Sequence, residues 1–340
     1  MRRIVVLGGL GFFGGLAVER LRANSAAPLT AARRPGADLQ VDVEVPASLR
    51  AALRPGDVAL DTVGPFQERT SALMEAALDI GFDLVDIADS LDYVERLHGL
   101  RSQIEAAGIR VLTACSSISA VSAALVRLSG LEHPVRVTGL LAPAARYVST
   151  PAAGSSLLRS VGRPIRVLRD GQLIARPGWG ESRTFQMPPP IGRVHGHLFE
   201  SADSLTLPGV WPSLRSVEFY VDSRVPGLNA LFALAARWPL LRQVLERLQL
   251  PGLALARLLG SSAGCLAYEI EAAGGAFVRF ALSARERGYF TPIVPAVLAA
   301  RAIAEGRFAP QGLVPPDRHV DPEELVAYLG SLGVQCIRIA

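Results

Sequence analysis

Ile4-Val5-Val6-Leu7-Gly8-Gly9-Leu10-Gly11-Phe12-Phe13-Gly14-Gly15 is the stretch on which the fold of this 340-residue chain turns. Its first four residues are apolar and mostly β-branched, the pattern of a strand buried on both faces. Gly9, Gly11 and Gly14 form a G-x-G-x-x-G run, and an amphipathic helical pattern follows from Phe13 to Arg22. In that context the first glycine permits a tight turn. The second lets the backbone approach a pyrophosphate, and the third allows close helix–strand packing. The helix N-terminus adds N–H groups and the positive end of its dipole, both suited to phosphate. A Walker-type loop is excluded, because no Lys-Ser/Thr pair follows the glycines. The stretch reads as a dinucleotide-binding turn, with Gly8, Gly9, Gly11, Phe12, Phe13 and Gly14 against the cofactor.

Outward from this turn, short apolar runs alternate with helical ones as far as Gly130. Ile4–Leu7, Leu29–Ala32, Leu39–Val43, Val58–Thr62, Leu84–Ile87 and Arg110–Thr113 read as strands. Phe13–Arg22, Pro46–Leu53, Gln67–Asp79, Leu91–Ala107 and Ile118–Leu128 read as helices. Such alternation implies an α/β, Rossmann-type doubly wound parallel sheet. After Glu132 the rhythm changes. Asp170-Gly171 and Gly274-Gly275 each sit between strand-like runs, as in β-hairpins. The expected organisation is a dinucleotide-binding domain at 1–130 and an α+β substrate and dimerisation domain at 131–287, built on a mostly antiparallel sheet. The segment 288–340 is expected to pack back onto the first domain.

The second strand decides which dinucleotide is expected. An NAD site carries an acid ~20 residues past the glycines to hold the ribose 2′-hydroxyl. Here the strand ends Ala31-Ala32-Arg33-Arg34, and two guanidinium groups at that point suit a 2′-phosphate. NADP(H) is therefore the expected cofactor, with Asp42 near the adenine edge.

Gly8-Gly9-Leu10-Gly11-Phe12-Phe13-Gly14, followed by a strand ending in arginine, resembles the NADP-binding domain of the saccharopine dehydrogenase-like (saccharopine reductase) family. The likeness continues in Asp61-Thr62-Val63-Gly64-Pro65-Phe66, Val85-Asp86-Ile87-Ala88-Asp89 and Val111-Leu112-Thr113-Ala114-Cys115-Ser116-Ser117. It is looser at Val161-Gly162-Arg163-Pro164 and returns at Gly288-Tyr289-Phe290-Thr291-Pro292. The resemblance implies a Rossmann domain, a second α/β domain and a substrate cleft between them. It implies an oxidoreductase delivering hydride to a C=N, C=C or C=O bond of a small or lipid-like substrate. The alternative is a cofactor-binding sensor or scaffold without turnover.

Ligands of such sheets bind at the carboxyl ends of the strands. Thr62, Val63, Gly64, Pro65 and Phe66 are thus expected around the nicotinamide, as is Ser116, which either bonds the cofactor or caps the next helix. Asp89 or Tyr93 is placed to relay a proton, although Asp89 reads equally as a helix N-cap. Cys115 is a candidate nucleophile or a small buried hydrophobe. His195-x-His197 puts two imidazoles on one face of a strand; a metal site needs a third ligand that nothing supplies, leaving His197 as a candidate general acid.

Composition narrows the class. The net charge is +4, and all 35 basic residues are arginine, so a lysine Schiff base is excluded. The arginines are scattered, without the basic, aromatic-interleaved runs of a nucleic-acid binder. Three widely spaced cysteines suit a reducing compartment, and the arginine-led start lacks a signal-peptide core, so a cytoplasmic enzyme is expected. Leu228–Leu259 is strongly apolar, to be buried in the core, in a homodimer interface, or against a lipid-like substrate or membrane surface.

Overall fold

The computed structural model describes residues 1–286 and 288–339. They divide into two compact units: Met1–Ala124 with Pro292–Leu325, and Leu125–Thr291 with Val326–Ala340. The expected boundary at 287 lies outside the described residues.

The first unit is the Rossmann-type sheet. β1 (Ile4–Leu7), β2 (Leu29–Ala32), β3 (Leu39–Gln40), β4 (Val58–Asp61), β5 (Asp83–Asp86) and β6 (Arg110–Leu112) alternate with helices. These are α1 (Phe12–Ala23), α2 (Pro46–Ala52), α3 (Ala72–Ile80), α4 (Leu91–Gly99), α5 (Arg101–Ala107) and α6 (Ala120–Ser129). The strand order is β6-β5-β4-β1-β2-β3, every pairing parallel, so the order reverses between β1 and β4. Every residue of β1, β4 and β5 is buried, which their continuous apolar character requires. Leu91–Ala107, expected as one helix, breaks at Leu100. The third strand is also shorter than expected, ending at Gln40.

The second unit is a mixed, mostly antiparallel sheet. Its strands are β7 (Pro134–Ala142), β8 (Pro164–Arg169), β9 (Gln172–Pro177), β10 (Ser182–Gln186), β11 (Arg193–Phe199), β12 (Ser216–Val221), β13 (Gly264–Ala272) and β14 (Phe277–Ala284). The main path runs β10-β11-β12-β7-β13-β14, and only β7 and β12 pair in parallel. Both expected hairpins form: β8–β9 turn at Asp170-Gly171, with φ of 51° and 78° at the two turn residues, and β13–β14 flank Gly274-Gly275. α7 (Ala145–Val148) and α8 (Pro151–Ser160) precede the first hairpin, and α9 (Asp203–Thr206), α10 (Leu228–Arg237), α11 (Pro239–Arg247) and α12 (Gln249–Leu259) lie between the two.

The last segment divides rather than returning whole to the first unit. α13 (Val294–Ala304) packs on β1, β4 and β5, and β15 (Gly312–Leu313) extends the parallel sheet beside β6. After α14 (Pro322–Ser331), β16 (Gln335–Ile339) instead pairs antiparallel with β14. Of the three places expected for the apolar helices α10–α12, the core is the one they do not take: Leu240 is 77% exposed, Leu250 and Leu258 70%, and α11 buries no residue. The helical period and apolar content of the segment specify a helix, and say nothing of whether the unit has surface to cover it. Among the described residues no helix is long and apolar enough to cross a membrane.

Candidate functional site

The glycine loop joins β1 to α1 at the carboxyl end of the sheet, beside the loop that leaves β4. Gly8 has φ +78°, a conformation that L side chains rarely adopt, and its N–H donates to the Ala31 carbonyl of β2 at 2.8 Å. Gly14 is buried in the first turn of α1. A Cβ built there would lie 2.1 Å from the Gly8 carbonyl oxygen and 2.7 Å from Thr62 Oγ1. Only hydrogen fits. Gly11 differs: an added Cβ would meet only the Gly8 carbonyl oxygen, at 3.0 Å, and otherwise enters open space. Gly11 is also the N-cap of α1, without a side-chain cap and with no acid in the first turn. The helix N-terminus is thus open to an anion.

Thr62 holds the two loops together. Its N–H and its Oγ1 both donate to the Leu7 carbonyl, at 3.0 and 2.7 Å. Thr62 to Phe66 therefore adjoin Gly8 to Gly14 at the strand-order reversal between β1 and β4, where ligands of such sheets bind. Arg33 and Arg34 are exposed past the end of β2, and Arg34 Nη2 donates to the Leu10 carbonyl, inside the glycine loop. The strand itself ends without a carboxylate, and Asp38 Oδ2 accepts from the N–H and Oγ1 of Thr30 within it, at 2.8 and 2.7 Å. The uncapped helix N-terminus and the guanidinium beside it suit an anionic group. Phe12 and Phe13, half-buried, pack edge to face at 5.1 Å. Asp42 stands past the short β3 in a tight turn: its Oδ1 accepts from Glu44 N at 3.0 Å, and its own N–H donates to Ser48 Oγ.

Beneath the loops lies a set of buried polar residues that the sequence did not single out. Asp61, fully buried at the end of β4, accepts from Val63 N at 2.9 Å and from Arg69 Nη1 at 2.8 Å. Arg69 also donates to the Val63 carbonyl at 2.8 Å and to Glu44 Oε1. One buried guanidinium thus fixes the Thr62–Phe66 loop from below. Burial pushes the Asp61 carboxyl up while Arg69 opposes it. Asp86, its counterpart at the end of β5, receives Ala88 N, Ala114 N and Thr113 Oγ1 on one oxygen, at 3.0, 2.8 and 3.1 Å. Its other oxygen has no partner, and burial pushes its pKa up to about 7. A carboxylate ending an apolar strand was the available signal, since a buried charge needs a fixed partner.

The candidate catalytic residues spread over both units. Tyr93 is buried against Phe66, ring centroids 5.2 Å apart, and its hydroxyl lacks a hydrogen-bond partner. Burial, with Asp86 adding, pushes both Tyr93 and the buried Cys115 well above their ordinary ranges, so hydroxyl and thiol keep their protons. Asp89 is not the helix cap. Ser90 is, its Oγ accepting from Tyr93 N, while Asp89 Oδ1 accepts from Gln67 Nε2 at 3.2 Å. Ser116 is buried at the start of the loop after β6. His197 belongs to the second unit, buried on β11 and stacked on Trp179 at 5.0 Å, with the exposed His195 5.3 Å away.

No protein-family model matches the chain, and no curated protein sequence does either. Among solved structures, apo saccharopine dehydrogenase (L-Glu forming) from Saccharomyces cerevisiae is similar over 100% of both chains, with a TM-score of 0.64 and 13% identity. A dehydrogenase from Clostridium difficile aligns with 97% of this chain and 98% of its own, at a TM-score of 0.40 and 7% identity. An oxidoreductase from Thermotoga maritima aligns over 99% and 98%, at 0.39 and 11%. These likenesses are of fold.

Proposed function

We propose that this chain is an NADP(H)-dependent oxidoreductase of the saccharopine dehydrogenase-like kind. One observation carries the reading: the cradle made by Gly8, Gly11, Gly14 and Thr62 opens beside Arg34, at the strand end where an NAD site keeps an acid. The full-length likeness in fold to a saccharopine dehydrogenase supports it. In this reading the first turn of α1 holds the pyrophosphate through backbone N–H groups, while Gly9 and Gly11, whose own N–H groups close the turn on Val6, Ala31 and Gly8, leave room for it to approach. Arg33 and Arg34 hold the 2′-phosphate, and the Thr62–Phe66 loop with Ser116 borders the nicotinamide. When bound, the dinucleotide supplies a hydride to a C=N, C=C or C=O bond. Arg69 and Asp61 keep the bordering loop in one conformation, so little ordering remains for binding to do.

A second reading is favoured by a specific observation. Tyr93 and Cys115, both candidates for acid–base or nucleophilic work, are buried and hold their protons. That is what a dinucleotide sensor without turnover would show. NADPH oxidation followed at 340 nm against imines, enones and ketones separates the two. Turnover of any class supports the enzyme, and tight NADPH binding with no turnover across the panel supports the sensor.

A further inference from the structure

The second unit contains a cavity of about 700 Å³, within the range of small-molecule sites. It is lined by His195, His197, Asp222, Arg224, Asn229 and Ser261, with an apolar remainder that includes Val225, Pro226, Ala230 and Leu259. Four of the six polar side chains are already engaged. Asp222 accepts from His195 N and Arg224 N on its two oxygens, at 3.1 and 2.8 Å. His195 Nδ1 pairs with Thr184 Oγ1 at 3.1 Å. Asn229 accepts from Ser223 N at 2.9 Å and donates to the His195 carbonyl, and Ser261 Oγ donates to the Ala263 carbonyl.

Two are left over. The Arg224 guanidinium makes no ion pair among the described residues, and its Nε is buried without a partner. His197, 6% exposed, hydrogen-bonds the Trp179 backbone, yet its Nδ1 is buried without a partner. A buried orphan of this kind is costly unless something else satisfies it. Arg224 is held in place by its backbone: φ is 56°, its N–H is fixed by Asp222, and its carbonyl accepts from Ser261 N at 3.1 Å. Burial and the neighbouring His195 keep the His197 imidazole neutral. A neutral imidazole keeps one ring nitrogen as an acceptor. The cavity therefore offers one permanent cation, the Asp222 carboxylate beside it with both oxygens engaged, one neutral imidazole and an apolar wall.

We infer that this cavity binds a small hydroxycarboxylic acid, its carboxylate on Arg224, its neighbouring hydroxyl donating to His197 Nδ1, and its hydrocarbon body against Val225, Pro226, Ala230 and Leu259. A hydroxyl fits Nδ1 better than an ammonium does, because a neutral imidazole does not compensate the desolvation of a second charge. The site stands independently of the dinucleotide reading.

Isothermal titration calorimetry of the full chain with 2-hydroxyhexanoate, hexanoate, 2-aminohexanoate and 1,2-hexanediol tests this, with Trp179 emission as a second readout of contact at His197. The hydroxy acid is expected to bind most tightly. Arg224→Asn keeps a residue tolerant of left-handed backbone and removes a side chain that makes no internal hydrogen bond. It should weaken the hydroxy acid by about tenfold or more and leave the melting temperature unchanged. His197→Phe keeps the stack on Trp179 and should erase the preference for 2-hydroxyhexanoate over hexanoate. Absence of saturable binding, or affinities unchanged in both variants, overturns the site; tighter binding of the amino acid overturns the assignment of His197. Gly11→Val should leave these affinities untouched, so failure of the dinucleotide reading shows separately.

Discussion

Gly11 and Gly14 stand three residues apart in the same loop, and substitution should separate ligand contact from packing. At Gly14 an alanine methyl would sit 2.1 Å from the Gly8 carbonyl oxygen and 2.7 Å from Thr62 Oγ1. Neither neighbour is the free end of a flexible side chain. Either the Gly8 turn shifts or Thr62 gives up its 2.7 Å bond to Leu7. Such overpacking costs about 1–3 kcal/mol. Alanine's helix advantage over glycine, at most about 1 kcal/mol, offsets only part. In a unit of this size the net loss, up to about 2 kcal/mol, lowers the melting temperature by up to roughly 8 °C. Gly11→Val should fold as the parent does: φ of −82° and ψ of 175° suit a β-branched residue, and the added Cβ meets one carbonyl oxygen. Differential scanning fluorimetry with and without NADPH reads both effects. At ligand near 100 times Kd the parent should gain about 2.7 kcal/mol, roughly 5–11 °C. Gly11→Val should start at the parent's melting temperature and gain nothing. A full NADPH shift in Gly11→Val would refute the cradle, and a Gly14→Ala protein as stable as the parent would refute the packing argument.

Replacing Arg33 and Arg34 by alanine should weaken NADPH by about 1.5–3 kcal/mol per charged hydrogen bond lost and leave NADH unaltered; equal loss for both cofactors in fluorescence titrations would count against the 2′-phosphate assignment. Arg69→Met should destabilise by about 3–5 kcal/mol in denaturant unfolding, since it strands the Asp61 charge in the interior, and adding Asp61→Asn should recover part of that. Asp86 holds its proton more tightly folded than unfolded, so its contribution is complete below its ordinary value of 3.8 and is lost as pH rises through about 7. Asp86→Asn keeps the oxygen that accepts three hydrogen bonds, and should flatten the fall in melting temperature between pH 5 and 8; an unchanged slope would show that Asp86 does not titrate there. Leu240→Glu and Leu258→Glu should each stay within about 0.5 kcal/mol of the parent, because both side chains already face solvent.

The glycine loop, the parallel sheet and both hairpins were legible because their signals are local: three glycines between strand and helix, and Asp170-Gly171 or Gly274-Gly275 between alternating runs. That the second strand ends just before Arg33 and Arg34 was legible for the same reason. Arg69 was not, since its role depends on Asp61, Val63 and Glu44 arriving from three separate segments. Arg224 was out of reach in the same way, and His197, singled out as a candidate general acid, could not be set beside it: what marks the pair is the absence of partners that the tertiary fold withholds. Whether α10–α12 are core, interface or lipid-facing was left open, because an apolar helix announces a need for cover without saying where the cover lies. The division of the final segment rests on β16 pairing with β14, a long-range choice of sheet edge that pattern alone does not decide.

The first unit is written in two pieces, and this sets an order on its assembly. Nine of the eleven residues of α13 are buried, and the helix covers one face of β1, β4 and β5. β15 completes the sheet's edge beside β6. As the chain leaves the ribosome, every strand from β7 to β14 emerges before either piece does. Domains encoded first ordinarily fold first. Here the glycine loop is synthesised long before α13, and the sheet beneath it keeps a bare apolar face until that helix emerges. Polypeptides released before residue 294 should therefore carry the whole nucleotide motif and fail to fold around it, making them natural clients of chaperones and proteases.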